Sequence, residues 1–304
     1  VNLDASRSES ELPQLRIVPT SALVPHEEHD MQRSAPLVER LRREGLLKNP
    51  PIVAELGDQE RYVLLDGTNR ALALGALSYP HVVVQVVDYD DPNLILDTWF
   101  HLVTDMGCDE LLRALRTLPG LRIAPSELLH ARAELARRQA IAAIITPDPC
   151  GSAPGRRGES RPSTPAAEIG PGSVYVLYVD GDSQRRADAL KQLVGVYESR
   201  GSVNRVSTDQ LSQLLPFYDN VAALVVFPRY APSEIMELAQ QGAYLPPGLT
   251  RHVVPGRVLR INFPLHVLAD DRSLEEKNAW LREWIRGKLA GKDIRYYQES
   301  TYLF

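Results

Sequence analysis

Leu64-Leu65-Asp66-Gly67-Thr68-Asn69-Arg70-Ala71-Leu72 changes its periodicity in mid-stretch. Before it, Tyr62 to Leu65 is the short apolar run of a buried strand; after it, Ala71 to Leu77 has the composition of a helix. Between the two, Asp66 closes the strand, Gly67 permits a tight turn, and the first backbone N–H groups of the helix point outward beside Arg70. A helix N-terminus carries about half a positive charge and suits a phosphate. The same residues also describe a plain turn whose aspartate only caps the helix, and on this stretch alone both readings stand.

Working outward, residues 14–18, 52–54 and 81–87 read as strands, 34–44 as an amphipathic helix, and Gly57-Asp58 as a turn. This alternation predicts a small mixed domain. Residues 109–145 carry Leu and Ala on one stripe and Arg on the other and read as helical, with breaks at Pro119-Gly120 and Pro125. Residues 147–172 hold 6 Pro and 5 Gly, a linker or insertion composition. Beyond it, 174–179 and 222–227 read as strands and 183–200 and 232–241 as helices, which predicts a second α/β domain. The expected class is α+β. The expected division is an N-terminal nucleotide-binding domain at 1–105, a helical connector and linker at 106–172, and a C-terminal substrate domain at 173–304.

The chain has 304 residues, 44% hydrophobic and 24% charged, with a net charge of −5, ordinary values for a globular protein. That balance offers no general electrostatic footprint for nucleic acid or anionic membrane. Cys108 and Cys150 lie far apart without a CxxC spacing, which argues against a structural zinc site and a disulfide framework. The polar, acidic start and the lack of an apolar run of about 18 residues predict a soluble cytoplasmic protein.

Three further stretches hold reactive groups. Pro25-His26-Glu27-Glu28-His29-Asp30 offers imidazoles and carboxylates for a general base or a metal ligand, without the His-Glu-x-x-His spacing of a zinc protease. Its alternative is a solvated acidic loop. Leu245-Pro246-Pro247-Gly248-Leu249-Thr250-Arg251-His252 sets a hydroxyl, a guanidinium and an imidazole in a row before a strand-like run at 253–261, donors that suit carboxylate or phosphate. An ordinary edge strand is the alternative. Asp97-Thr98-Trp99-Phe100-His101 reads equally as core.

In this order, Pro25-His26-Glu27, Asp66-Gly67-Thr68-Asn69-Arg70, Thr98-Trp99 and Leu245 to Gly256 resemble the free L-serine kinases of the ParB/sulfiredoxin superfamily. The resemblance extends to the siderophore-cluster branch that makes O-phosphoserine for staphyloferrin B and to the archaeal ADP-dependent branch. It continues through Pro255-Gly256-Arg257 and from Trp280-Leu281 to Tyr302-Leu303. It implies a ParB/sulfiredoxin-like N-terminal domain, a second α/β domain and an active site in the cleft between them. It further implies transfer of the terminal phosphoryl group of ATP or ADP to the hydroxyl of free L-serine, with Mg²⁺. Gly67, Thr68, Asn69 and Arg70 would hold the nucleotide phosphates, Asp66 the metal or nucleophile, and Glu27 would accept the serine proton. Trp99, Thr250, Arg251 and His252 would bind the amino acid.

The chain departs from the family in two places. The family's turn has His before its Arg, where this chain has Asn69, an amide donor. The Cys-Cys pair associated with haem sensing in the siderophore branch corresponds to Arg200-Gly201, so haem regulation is not implied. The superfamily also contains nucleotide-gated DNA clamps. Residues 111–161 hold 9 Arg, no Lys and 4 acidic residues, a basic patch that could touch DNA; because no helix-turn-helix follows, an amphipathic helical connector with a solvated Arg face is the favoured reading. A sulfiredoxin reading fails because its chemistry needs a cysteine where Thr68 and Asn69 stand.

Overall fold

The computed structural model describes residues 12–28, 31–57, 60–147 and 172–295, without the side chains of 31–34. His29, Asp30, nearly all of the Pro/Gly-rich stretch and Tyr302-Leu303 lie outside the described residues. The chain forms two compact units, one of residues 1–95 with 252–304 and one of residues 96–251. The expected division at 105 and 172 is not the one the contacts make. The C-terminal segment returns to the first unit because Phe263, Leu265, Val267, Leu268 and Leu281 complete its core. No shift of composition marks that return.

In the first unit, β1 (Gln14–Pro19), β2 (Leu23–Pro25), β4 (Ile52–Glu55), β5 (Tyr62–Asp66) and β6 (His81–Val87) form a five-stranded sheet in the order β1-β6-β4-β5-β2. The pairs β2/β5 and β4/β6 are parallel; β1/β6 and β4/β5 are antiparallel. Tyr62 to Leu65 and Val82 to Val86 are buried throughout, so these strands show continuous apolar runs rather than alternation. Helices α1 (Met31–Glu44) and α2 (Thr68–Ala76) pack on each other through Leu37, Val38 and Leu41 of the first and Ala71, Ala73 and Leu74 of the second, all within one core cluster. The short strand β3 (Leu46–Leu47) pairs with β15 (Phe263–Pro264) of the returning segment, followed by α8 (His266–Ala269) and α9 (Leu274–Ala290). Asn278 of α9 hydrogen-bonds both the N–H and the carbonyl of Ile17, closing part of the β1 edge.

The second unit has a six-stranded sheet, β12-β8-β13-β10-β11-β9, antiparallel at every pairing. Its strands are β8 (Phe100–Thr104), β9 (Arg122–Ser126), β10 (Ala142–Ile145), β11 (Val174–Tyr178), β12 (Ser202–Val206) and β13 (Val221–Val226). Its helices are α3 (Cys108–Leu115), α4 (Leu128–Ala136), α5 (Ser183–Glu198), α6 (Leu211–Leu214) and α7 (Pro232–Gln241). Antiparallel pairing makes this unit α+β rather than α/β. The helical reading of 109–145 is overturned in two places. β9 carries Pro125 and takes the sheet edge, where a missing N–H is tolerated, and β10 is apolar on both faces and so shows no alternation. Cys108 is disulfide-bonded, and Cys150 lies outside the described residues.

The chain leaves the first unit within β7 (Ile95–Thr98) and returns within β14 (Thr250–Val253). The strand expected at 253–261 stops at Val253; Gly256, Arg260 and Asn262 take positive φ, and the segment turns repeatedly.

Candidate active site

The strand-to-helix turn forms as its sequence predicts. β5 ends at Asp66, and Gly67 at φ +89° is the N-cap of α2. The backbone angle favours glycine, and the Arg70 guanidinium folds over the turn, with Nη2 2.6 Å from where a Cβ on Gly67 would stand. The N–H groups of Arg70 and Ala71 both donate to the Gly67 carbonyl. The N–H groups of Thr68 and Asn69 precede them at the positive end of α2.

Asp66 is gripped from two sides. Arg70 Nη2 lies 3.7 Å from its Oδ2, and Arg257 Nη1 donates a short hydrogen bond to the same oxygen. Burial pushes the Asp66 carboxyl up, but the charges of Arg70 and Arg257 and the hydrogen bonds from Arg257 and the Gly67 backbone outweigh it and hold the group below its usual range. Burial draws the Arg70 guanidinium down against the pull of Asp66, and its Nε has no hydrogen-bond partner among the described residues.

Arg257 is fixed in turn by its own loop. Its Nη2 donates to the His252 carbonyl at 3.1 Å, and the side chain of Gln85 bonds the Gly256 carbonyl at 3.2 Å and the Val258 N–H at 2.9 Å. Gln85 is a buried polar residue in the middle of the apolar β6, where its amide ties the returning segment to the sheet.

Two histidines lie behind the turn. Nδ1 of His26 donates to the Leu64 carbonyl at 2.6 Å, and its Nε2 lies 3.9 Å from Glu27 Oε1. Burial lowers the His26 imidazole further than the Glu27 charge and the Leu64 carbonyl raise it, so the ring is neutral. His252 packs edge-on to His26 at 5.6 Å between ring centroids, and its Nε2 is 2.8 Å from the Tyr89 hydroxyl. Burial, with the neighbouring His26 and Arg257, pushes His252 down to about 3, while burial raises the Tyr89 phenol. Glu27 is nearly enclosed, its side chain 12% exposed, whereas Glu28 is exposed. The last parallel pair between β2 and β5 is Pro25 with Leu64, so Glu27 and Asp66, the last residue of β5, each lie two residues beyond that pair in the same direction.

The second unit holds the other expected residues. The Arg251 guanidinium lies 4.6 Å over the Trp99 ring, a cation–π distance, and its Nη1 is 4.0 Å from Asp97 Oδ2. Arg229 Nε approaches the other oxygen of Asp97 at 3.6 Å. Thr98 is buried and donates to the Pro228 carbonyl; Thr250 is half-buried beside Arg251 in β14.

The expected residues therefore fall into two groups: Glu27, Asp66, Gly67, Thr68, Asn69, Arg70 and His252 in the first unit, Trp99, Thr250 and Arg251 in the second. His252, expected with the C-terminal substrate domain, belongs to the unit of the Asp66–Arg70 turn. Arg257, Tyr89 and Gln85 were not singled out from sequence for the site. Arg257 enters only within the Pro255-Gly256-Arg257 run of the resemblance, and the signal at Gln85 is polarity in apolar company. Part of the basic stretch at 111–161 is engaged within the unit: Arg132 pairs with Asp209, Arg138 with Glu234, and Arg122 stacks on Tyr178. At Gly201 a Cβ would stand 2.6 Å from the Thr104 carbonyl oxygen, so this position has no room for a cysteine as the backbone stands. Among the described residues no cluster of three or more His, Cys, Asp or Glu could hold a metal, and no helix is long and apolar enough to cross a membrane.

This fold is shared with free serine kinases. A free serine kinase in complex with AMP matches with a TM-score of 0.67 at 16% identity, over 86% of this chain and 98% of that one. SbnI with C-terminal truncation, from Staphylococcus aureus, matches with a TM-score of 0.64 at 20% identity, over 92% of this chain and 97% of that one. In sequence, the ATP-dependent L-serine kinase SbnI of Staphylococcus aureus is 22% identical over 293 residues, 95% of this chain and 96% of that protein. An ATP-dependent L-serine kinase of Staphylothermus marinus is 32% identical over 107 residues, 35% of this chain and 42% of that protein. The chain thus matches nearly the whole of the staphylococcal relative and less than half of the archaeal one. No family model matches the chain.

Proposed function

We propose that this protein is a free L-serine kinase that transfers the terminal phosphoryl group of a nucleotide to the serine hydroxyl. The observation that carries the reading is the Asp66–Arg70 turn, with two guanidinia on one carboxylate at the start of α2 and the enclosed Glu27 at the same end of the sheet. Phosphoryl transfer needs positioning and charge neutralisation more than covalent chemistry, and this turn supplies both. The N–H groups of Thr68 and Asn69 and the Arg70 guanidinium bind phosphate oxygens. Glu27 accepts the serine proton while the serine Oγ–P bond forms and the bridging P–O bond breaks, leaving its electron pair on the departing nucleotide. The names of the relatives favour ATP over ADP as donor.

A single carboxylate such as Asp66 suits a Mg²⁺ ion that arrives on the nucleotide's phosphates, since that ion is held by one or two carboxylates plus phosphate oxygens. Bound there, Mg²⁺ would neutralise phosphate charge. Trp99 and Arg251, with Thr250, offer an apolar face and a cation for the amino acid, and Asp97 beside Arg251 and Arg229 offers an acceptor for an ammonium group. His252 acts on the nucleotide side, holding the Arg257 loop through its carbonyl and packing against His26.

The test is incubation with serine, Mg²⁺ and ATP or ADP separately, with O-phosphoserine read by mass. The expected result is product with ATP; no product with either donor overturns the reading.

A further inference from the structure

We propose that Arg257 is a further catalytic residue, one that exchanges Asp66 for the phosphoryl group being transferred; this rests on the serine-kinase reading above. In the structure Arg257 and Arg70 converge on Oδ2 of Asp66, two positive charges on one negative, at the positive end of α2. The surplus charge attracts an anion. The two arginines differ in how they are held. Arg70 is part of α2 and folds over Gly67, 3.7 Å from Asp66 Oδ2. Arg257 sits on a turn outside any helix or strand, at a half-exposed position, anchored by its backbone neighbours through Gln85 while its guanidinium spans Asp66 and the His252 carbonyl. Its loop is therefore fixed, and its side-chain head is held by two hydrogen bonds that arriving phosphate oxygens take over.

Arg257 and Arg70 share Oδ2 of Asp66. Triphosphate oxygens arriving at the N-terminus of α2 are a better partner for a guanidinium fork than a carboxylate shared with Arg70. Moving the head onto the terminal phosphoryl group frees Asp66 and sets a cation where charge builds up in the transition state. A nucleoside monophosphate lacks that group and leaves Arg257 on Asp66. The Asp66–Arg257 ion pair is thus one that only the phosphoryl donor opens.

The experiment compares the wild type with Arg257→Ala for O-phosphoserine production and, by calorimetry, for affinity to ATP and to AMP. The expected result is a kcat lower by about 10²-fold or more and an ATP Kd weaker by about 10- to 100-fold, with AMP affinity within about twofold. If the wild type makes O-phosphoserine and Arg257→Ala keeps its kcat, or loses ATP and AMP affinity alike, the proposal is overturned and the kinase reading stands. If the wild type makes no O-phosphoserine, the kinase reading falls and with it a catalytic Arg257. Should Arg257→Ala fail to fold, Arg257→Lys is measured in its place: it keeps the charge but not the fork, and the same selective loss for ATP supports the proposal, while its absence overturns it.

Discussion

Glu27 and Glu28 are adjacent carboxylates in unlike surroundings, one enclosed against His26 at the end of the sheet, the other exposed. A base must meet the hydroxyl it deprotonates within hydrogen-bond reach, so the enclosed one is assigned the role. Glu27→Gln keeps shape and polarity and removes basicity; kcat is expected to fall by about 10²-fold with little change in the KM for either substrate, and Glu28→Gln to cost far less. Steady-state kinetics on both variants checks this, and equal losses, or a larger one at Glu28, reverse the assignment. At this scale the sequence was informative where the chemistry is contiguous. Asp66, Gly67 and Arg70 lie within five residues, and their turn could be read from the change of periodicity alone. The pairing of Arg257 could not be, because its partner Asp66 is 191 residues away and the Pro255-Gly256-Arg257 run does not name that partner. The division of labour within Thr250-Arg251-His252 was hidden for a related reason: the chain passes from one unit to the other between the second and third of these residues.

Elements with a clear signature were legible. β6 was read with its observed bounds, and α7 begins at Pro232, a residue suited to the first helical turn. α9 carries a capping box, Ser273 with Glu276, whose reciprocal hydrogen bonds are present and whose pattern was open to reading. β8 escaped notice because burial of all five residues leaves no alternation, and it hides a histidine. His101 in β8 faces Tyr197 of α5, with Nδ1 2.6 Å from the phenol oxygen, and Phe227 at 5.1 Å between centroids. Burial, with the charge of Arg205, pushes His101 down to about 3, while burial raises the phenol of Tyr197. The imidazole is thus neutral when folded, whereas the unfolded chain binds a proton near pH 6.5. Between these values the unfolded state holds more protons, so stability is full above pH 6.5 and falls as pH drops towards 3, by at most about 1.4 kcal/mol per pH unit for this group. His101→Gln, which keeps a partner for Tyr197, is expected to flatten the decline of the urea midpoint between pH 7 and pH 5 relative to wild type. Identical slopes would assign the decline elsewhere.

As a whole molecule the chain is one unit inserted into another, and that order has a consequence for folding. Residues 96–251 are continuous and enclose a core of their own, including Phe100, Leu102, Ile145, Val176 and Leu224. The other unit is split. Its sheet lies wholly within residues 1–95, but Phe263, Leu265, Val267, Leu268 and Leu281, each no more than 1% exposed, come from the returning segment. At about 1.5–3 kcal/mol for each large apolar side chain fully buried, their loss removes on the order of 10 kcal/mol, which is comparable to the 5–15 kcal/mol that holds a whole domain together. Removing the segment also strips Asn278 from the backbone of Ile17, and so uncovers part of an edge strand. A fragment of residues 96–251 is therefore expected to fold alone with a cooperative urea transition, and a fragment of residues 1–95 to show none. Joining residues 1–95 to 252–304 through a flexible linker restores the core and brings His252 and Arg257 back to Asp66, so this fusion is expected both to unfold cooperatively and to bind nucleotide in calorimetry. A cooperative transition in residues 1–95 alone would mean that the returning segment only decorates a core already complete; a fusion that folds but binds no nucleotide would move the phosphate site away from the Asp66–Arg70 turn.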